Sequence, residues 1–202
     1  MTPIRPKVFA SLVLPHAVRW LLAGAALAAA PLAVAADFSL GVGLGVDRGR
    51  VDCVAAFPCD RTSSFAKLYA SYQLSPAIDL QIVYFDGGSF KGGDTTPLGT
   101  EFGGKFKVNG IGVTAGYRWG FAPAWSLSAR AGLASVRTHF DHANPVWGSA
   151  SQTLTQPLLG VGIAYAITPT TRLGLDYDMT RFKVHTTRGP LQMLGLAAQF
   201  SF

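Results

Sequence analysis

The feature that most constrains this chain is a two-residue alternation of apolar with small or polar side chains, clearest in the last nine positions, LGLAAQFSF. Leu194, Leu196, Ala198, Phe200 and Phe202 fall on one side of an extended backbone, with Gly195, Ala197, Gln199 and Ser201 on the other. A helix would need a period near 3.6; a period of two belongs to a strand with two different faces. The same pattern recurs over Phe38–Val46, Ala66–Leu74, Ile78–Phe85, Gly110–Trp119, Trp125–Ala134, Leu159–Ile167 and Leu173–Thr180. Each segment is near the ~9–11 residues that a tilted membrane strand requires.

The connections alternate in length. Short links carry Pro76, Pro123 and Pro169 at nearly equal spacing, so the hairpin itself repeats. Long polar links are expected over Asp47–Ser64, Asp86–Lys105 and Arg137–Gln156, with a shorter one over Phe182–Pro190. Short turns at one end and long loops at the other separate a membrane barrel from a soluble lipocalin-like barrel, which shares only the alternation. The large face, with Tyr72, Trp119, Trp125, Tyr165, Phe200 and Phe202 beside the short turns, suits lipid and an aromatic girdle at the periplasmic interface. The small face suits the crowded lumen of an eight-strand barrel, which side chains fill. The expected fold is an all-β, eight-stranded antiparallel up-and-down transmembrane β-barrel with a plugged lumen.

The amino terminus reads as an export signal. Arg5, Lys7 and Arg19 form a basic region, Leu21–Ala30 is apolar, and Ala33-Val34-Ala35 or Val34-Ala35-Ala36 offers the cleavage site. Pro31 ends the apolar run at about half of the ~20 residues a membrane helix needs. The expected division is a signal peptide over residues 1–36 and a barrel over 37–202. With 49% hydrophobic and only 14% charged residues, an exported chain without spanning helices must bury its apolar face or turn it to lipid. Losing the three basic signal residues halves the formal net charge of +6, too mild a balance to suggest nucleic acid.

Cys53 and Cys59, in the first long link of an exported chain, read as a disulfide that stiffens the loop. His139 and His142 flank Asp141 in the third link, with His185 as a conceivable third ligand, but no companion Cys or Glu has metal-ligand spacing. No metal or cofactor is therefore expected. The glycines of Gly41-Val42-Gly43-Leu44-Gly45 fall on the inward face, and neither a P-loop Lys nor a helix follows them. The inward charges carry more information. Arg130, Asp176 and Asp178 should lie at middle depth, Lys67 nearer the loops, and Arg118 and Arg172 near the turns. Buried charges must be paired, and Arg130 with Asp176 is the preferred pair, more as a structural plug than as a gate.

The run KLYASYQLSPAIDLQIVYFDGG (Lys67–Gly88) resembles the second hairpin of OmpA-type outer-membrane barrel domains. GYRWGFAPAWSLSARAGLA (Gly116–Ala134) and GVGIAYAITPTTRLGLDYDMTRFKV (Gly160–Val184) resemble the next two, so the likeness covers most of Phe38–Phe202. The resemblance makes Arg130 the inward base of the fifth strand and Asp176 the inward acid of the seventh. The family commonly has an inward acid on the third strand where Gln81 stands, so a partner-swapping gate lacks its second carboxylate. Phe200 and the final Phe202 resemble the signal read by the outer-membrane insertion machinery.

The implied location is the outer membrane of a Gram-negative bacterium, reached by export to the periplasm. The implied neighbours are outer-membrane lipid and lipopolysaccharide, the insertion machinery during biogenesis, and an extracellular ligand of the loops. The chain is expected as a monomer that does not tether the cell wall, close to the stand-alone OmpX and OmpW kinds of barrel. The expected role is structural or surface interaction (adhesion, membrane integrity), not catalysis. A narrow channel for ions or small solutes is the alternative. A lipid A-modifying enzyme is a minor one, for which Ser135 and His139 would be nucleophile and base, with Glu101 or Asp141 orienting the base.

Overall fold

In a computed structural model the described residues are 38–202 except 52, 54–56, 96–100, 145–147 and 185–186, so the expected signal peptide and His185 lie outside them. Eight strands follow in order: β1 (Phe38–Gly49), β2 (Thr62–Ser75), β3 (Ile78–Thr95), β4 (Glu101–Ala122), β5 (Trp125–His142), β6 (Ser149–Ala166), β7 (Thr171–Val184) and β8 (Thr187–Ser201). Each pairs antiparallel with its sequence neighbours, and β1 pairs with β8 to close the barrel. Closure removes every free edge in the lipid zone, where unpaired backbone groups cost most. The last residue completes it: the Phe202 amide donates to the Phe38 carbonyl at 2.9 Å, at the rim beside the short turns.

The lipid-facing side chains are those of the expected large face. Leu44, Leu68, Ile82, Val113, Leu133, Val161 and Leu196 stand exposed around the wall, and Tyr72, Trp119, Trp125, Tyr165, Phe200 and Phe202 stand exposed near the turns. Trp125 and Tyr165 meet across β5 and β6 with ring centroids 5.0 Å apart, part of the aromatic girdle.

The long links differ from expectation, because most of their length is strand. β4 alone has 22 residues. At ~3.3 Å per residue and ~40° of tilt it rises about 55 Å, roughly twice the ~25 Å lipid band. The wall continues above the membrane with its polarity reversed. Lys105, Lys107, Arg137 and His139 face out, while Phe106, Val108, Val136 and Phe140 are buried inside. Outside the membrane, water replaces lipid around the wall, so the same period of two now turns its apolar side inward. On β3 the reversal uses a bulge between Asp86 and Ser89, where Gly88 adopts φ 59°. The extra residue shifts the inside–outside parity by one, which brings Phe90 into the lumen and sends Lys91 out. Glycine is required there, because left-handed backbone strains other residues.

Candidate functional site

The lumen is the site that the sequence singled out, and it is filled from bottom to top. Its middle holds four charges. The Lys67 ammonium lies 2.8 Å from Asp176 and 2.5 Å from Asp178, while the Arg130 guanidinium lies 3.3 Å from Asp176 and 3.0 Å from Asp178. Arg130 thus bridges both acids rather than pairing with Asp176 alone. Lys67 belongs to the same cluster, not nearer the loops, because barrel tilt brings the inward position of β2 level with those of β7. Two cations against two acids make the set neutral, the condition for holding charges out of water. Glycine makes the room: a Cβ at Gly160 or Gly162 would collide with Asp178 or Asp176, and one at Gly43 would come within 2.7 Å of Lys67. These are the glycines of the GVG runs, and their work here is steric.

Gln81 does not join the cluster; its amide donates to the Ser71 hydroxyl at 3.2 Å. The inward acid of β3 is Asp79, one inward position closer to the turns, 3.4 Å from Arg118. Around them lies a polar cavity of only about 40 Å³, lined in part by Tyr69, Arg172 and Gln199. That is space for a few waters.

Above the charges comes an apolar plug that residue-by-residue reading of the inward face missed. Phe65, Phe85, Phe90, Phe106, Phe140, Phe182, Leu191 and Met193 are all buried inside the upper barrel. Phe106 and Phe140 have ring centroids 4.5 Å apart. The available signal was the second alternation, in KFKVN and VRTHF, with apolar residues on the opposite parity from the lipid belt.

Asp47 is set against this plug, 2% exposed, and no cation or side-chain donor reaches either carboxylate oxygen. A buried carboxylate without a counter-ion is costly, and a neutral amide in its place is held out of water at a lower cost. Asp47→Asn is therefore expected to raise the stability of the barrel by about 1–3 kcal/mol, read as a higher urea midpoint in lipid vesicles. A lowered midpoint would show that the carboxylate is stabilising after all.

Cys53 and Cys59 are joined by a disulfide, and the loop carrying them is tied down where Asp60 and Lys91 exchange backbone hydrogen bonds of 2.8 and 3.0 Å. His139 Nε2 sits 3.0 Å from Asp141 Oδ1 on the outer wall. His142, of opposite parity on β5, packs edge-on against Phe140. Among the described residues no three His, Cys, Asp or Glu side chains converge as metal ligands. Ser135 and His139 share the outer face of β5 but stand four residues apart, about 13 Å along a strand, beyond nucleophile–base reach. The Glu101 side chain lies outside the described residues.

A family model for the outer membrane protein beta-barrel domain matches residues 20–202. No curated protein matches the chain significantly. Among solved structures, Neisserial surface protein A (NspA) is similar at 16% identity and a TM-score of 0.60, over 82% of this chain and 97% of that one. The attachment invasion locus protein Ail of Yersinia pestis is similar at 16% identity and a TM-score of 0.51, over 83% of this chain and all of that one. OprG of Pseudomonas aeruginosa follows at 13% identity and a TM-score of 0.52, over 82% and 96%. At such identities the likeness is one of fold. With the closed barrel and the matched domain together, the chain belongs to the outer membrane protein beta-barrel domain family and is a protein of the Gram-negative outer membrane.

Proposed function

We propose that this protein is a non-enzymatic, non-conducting barrel whose work is done by its outer half, in surface interaction such as adhesion or in membrane integrity. The observation that carries this reading is the double closure of the lumen: a paired ionic cluster at middle depth and a phenylalanine plug above it. A hydrated ion needs a continuous aqueous path, and the lumen cavities described here hold about 40 and 10 Å³. The protruding wall is a rigid stalk that carries the loops clear of the lipid. Ail, an attachment invasion locus protein, has a similar fold and supports the adhesion side of this reading.

Purified protein reconstituted in planar bilayers should show no stepwise conductance, and discrete openings would overturn the closed-lumen reading in favour of the channel. A deletion strain should change in surface adhesion or detergent tolerance while its lipid A pattern, by mass spectrometry, stays the same. Loss of one lipid A species there would favour the enzyme instead.

A further inference from the structure

A seam in the wall lies between β6 and β7. The ladder between β6 and β7 runs from Ala166 opposite Arg172 only as far as Leu159 opposite Met179, although β6 begins at Ser149 and β7 continues to Val184. The cause is local. Nitrogen and carbonyl of one strand residue point to the same neighbour, and the Pro157 carbonyl accepts the Thr180 hydroxyl at 2.9 Å. Pro157 therefore faces β7 without an N–H to give it, and the ladder loses a hydrogen bond at the point where it stops. The strands part there, and a cleft of about 640 Å³ opens at the top of the lipid belt.

The chemistry of the cleft is two-part. Leu159 and Met179 form its lower, apolar edge, continuous with the lipid-facing wall. Arg181, Lys183 and Arg188, all exposed, form its upper edge, and no carboxylate lines it. Lys183 stands directly opposite Arg188 across β7 and β8. Like charges in cross-strand register destabilise a sheet unless an anion lies between them. Three cations above an apolar wall, at headgroup height, call for a phosphorylated amphiphile: phosphate on the cations, acyl chain along Leu159 and Met179.

We propose that the β6–β7 cleft is a binding site for a phosphorylated glycolipid of the outer leaflet, held by its phosphate on Arg181, Lys183 and Arg188. The site is distinct from the lumen and independent of what the loops bind.

The test uses protein extracted from the outer membrane in mild detergent, titrated with bisphosphorylated lipid A and read by native mass spectrometry. Wild type should retain one lipid A. The variant R181Q/K183Q/R188Q should bind it at least tenfold more weakly while keeping heat-modifiable gel migration. K105Q/K107Q/R137Q, which removes the same charge from the β4–β5 wall, should bind as wild type does. The single variant K183Q relieves the like-charge opposition; it should fold at least as well without lipid A and bind about threefold more weakly. Unchanged binding in the cleft variants, an equal loss in the β4–β5 control, or equal retention of dephosphorylated lipid A would each overturn the proposal.

Discussion

Arg130→Met should lower the stability of the barrel by about 3–5 kcal/mol. Arg130 is one of two cations facing Asp176 and Asp178, whose side chains are only about a tenth exposed. Without it Lys67 alone balances two acids, and one negative charge stays buried among glycines and strand backbone. The closed wall fixes the radius of the lumen, so the strands cannot move in to fill the space the guanidinium leaves. Urea unfolding in lipid vesicles, followed by heat-modifiable migration, measures the loss. The double variant Arg130→Met with Asp178→Leu separates charge balance from packing: it restores neutrality and should recover at least half of the loss. A double variant as unstable as the sum of its singles would show that the ion pairs are not coupled. A single variant within 1 kcal/mol of wild type would remove the cluster from the account of what holds the lumen together.

Phe106→Ala should cost about 3–5 kcal/mol by a different route, the cavity left in a dry core. Phe106 is 1% exposed and packs on Phe140 above the lipid band. Leu196→Ala is the informative control: Leu196 is 72% exposed on the lipid-facing wall, so its truncation leaves no internal void and costs only the lost transfer of its side chain from water to lipid, about 1–2 kcal/mol. If both variants fell by similar amounts, the plug would be no more a core than the lipid-facing belt is. Phe106→Ala should also speed proteolysis of the outer half of the barrel, since that half has only the plug to bury. Bilayer recordings on the same variant separate plug from cluster: with Lys67, Arg130, Asp176 and Asp178 still in place, the lumen should stay closed.

Much of this was legible along the chain. The alternation in LGLAAQFSF and its seven counterparts marked the strands, the prolines at 76, 123 and 169 marked the short turns, and the inward parity of Arg130, Asp176 and Asp178 put charge in the lumen. What misled was the assumption that one polarity holds along a whole strand. KFKVN and VRTHF alternate as regularly as any membrane segment, but with the apolar residues on the other parity, so neither joins an expected strand, and Lys105 and Arg137–Phe140 fall within the expected polar links. Asp47 was counted with the first loop, yet it lies inside the wall at the end of β1.

Periodicity is a local property of the backbone, set by where successive Cβ atoms point, and a single chain displays it without any partner. Strand number, the faces within the lipid belt and the side carrying the short turns follow from it. Depth is different. Lys67 and Asp178 stand 111 positions apart and meet only because tilt and register bring β2 and β7 to one height across the lumen. The same holds for the phenylalanines gathered from separate strands into one plug, and for the seam where Pro157 fails β7. Those depend on closure of the sheet, a condition on all eight strands at once, so no segment carries it alone.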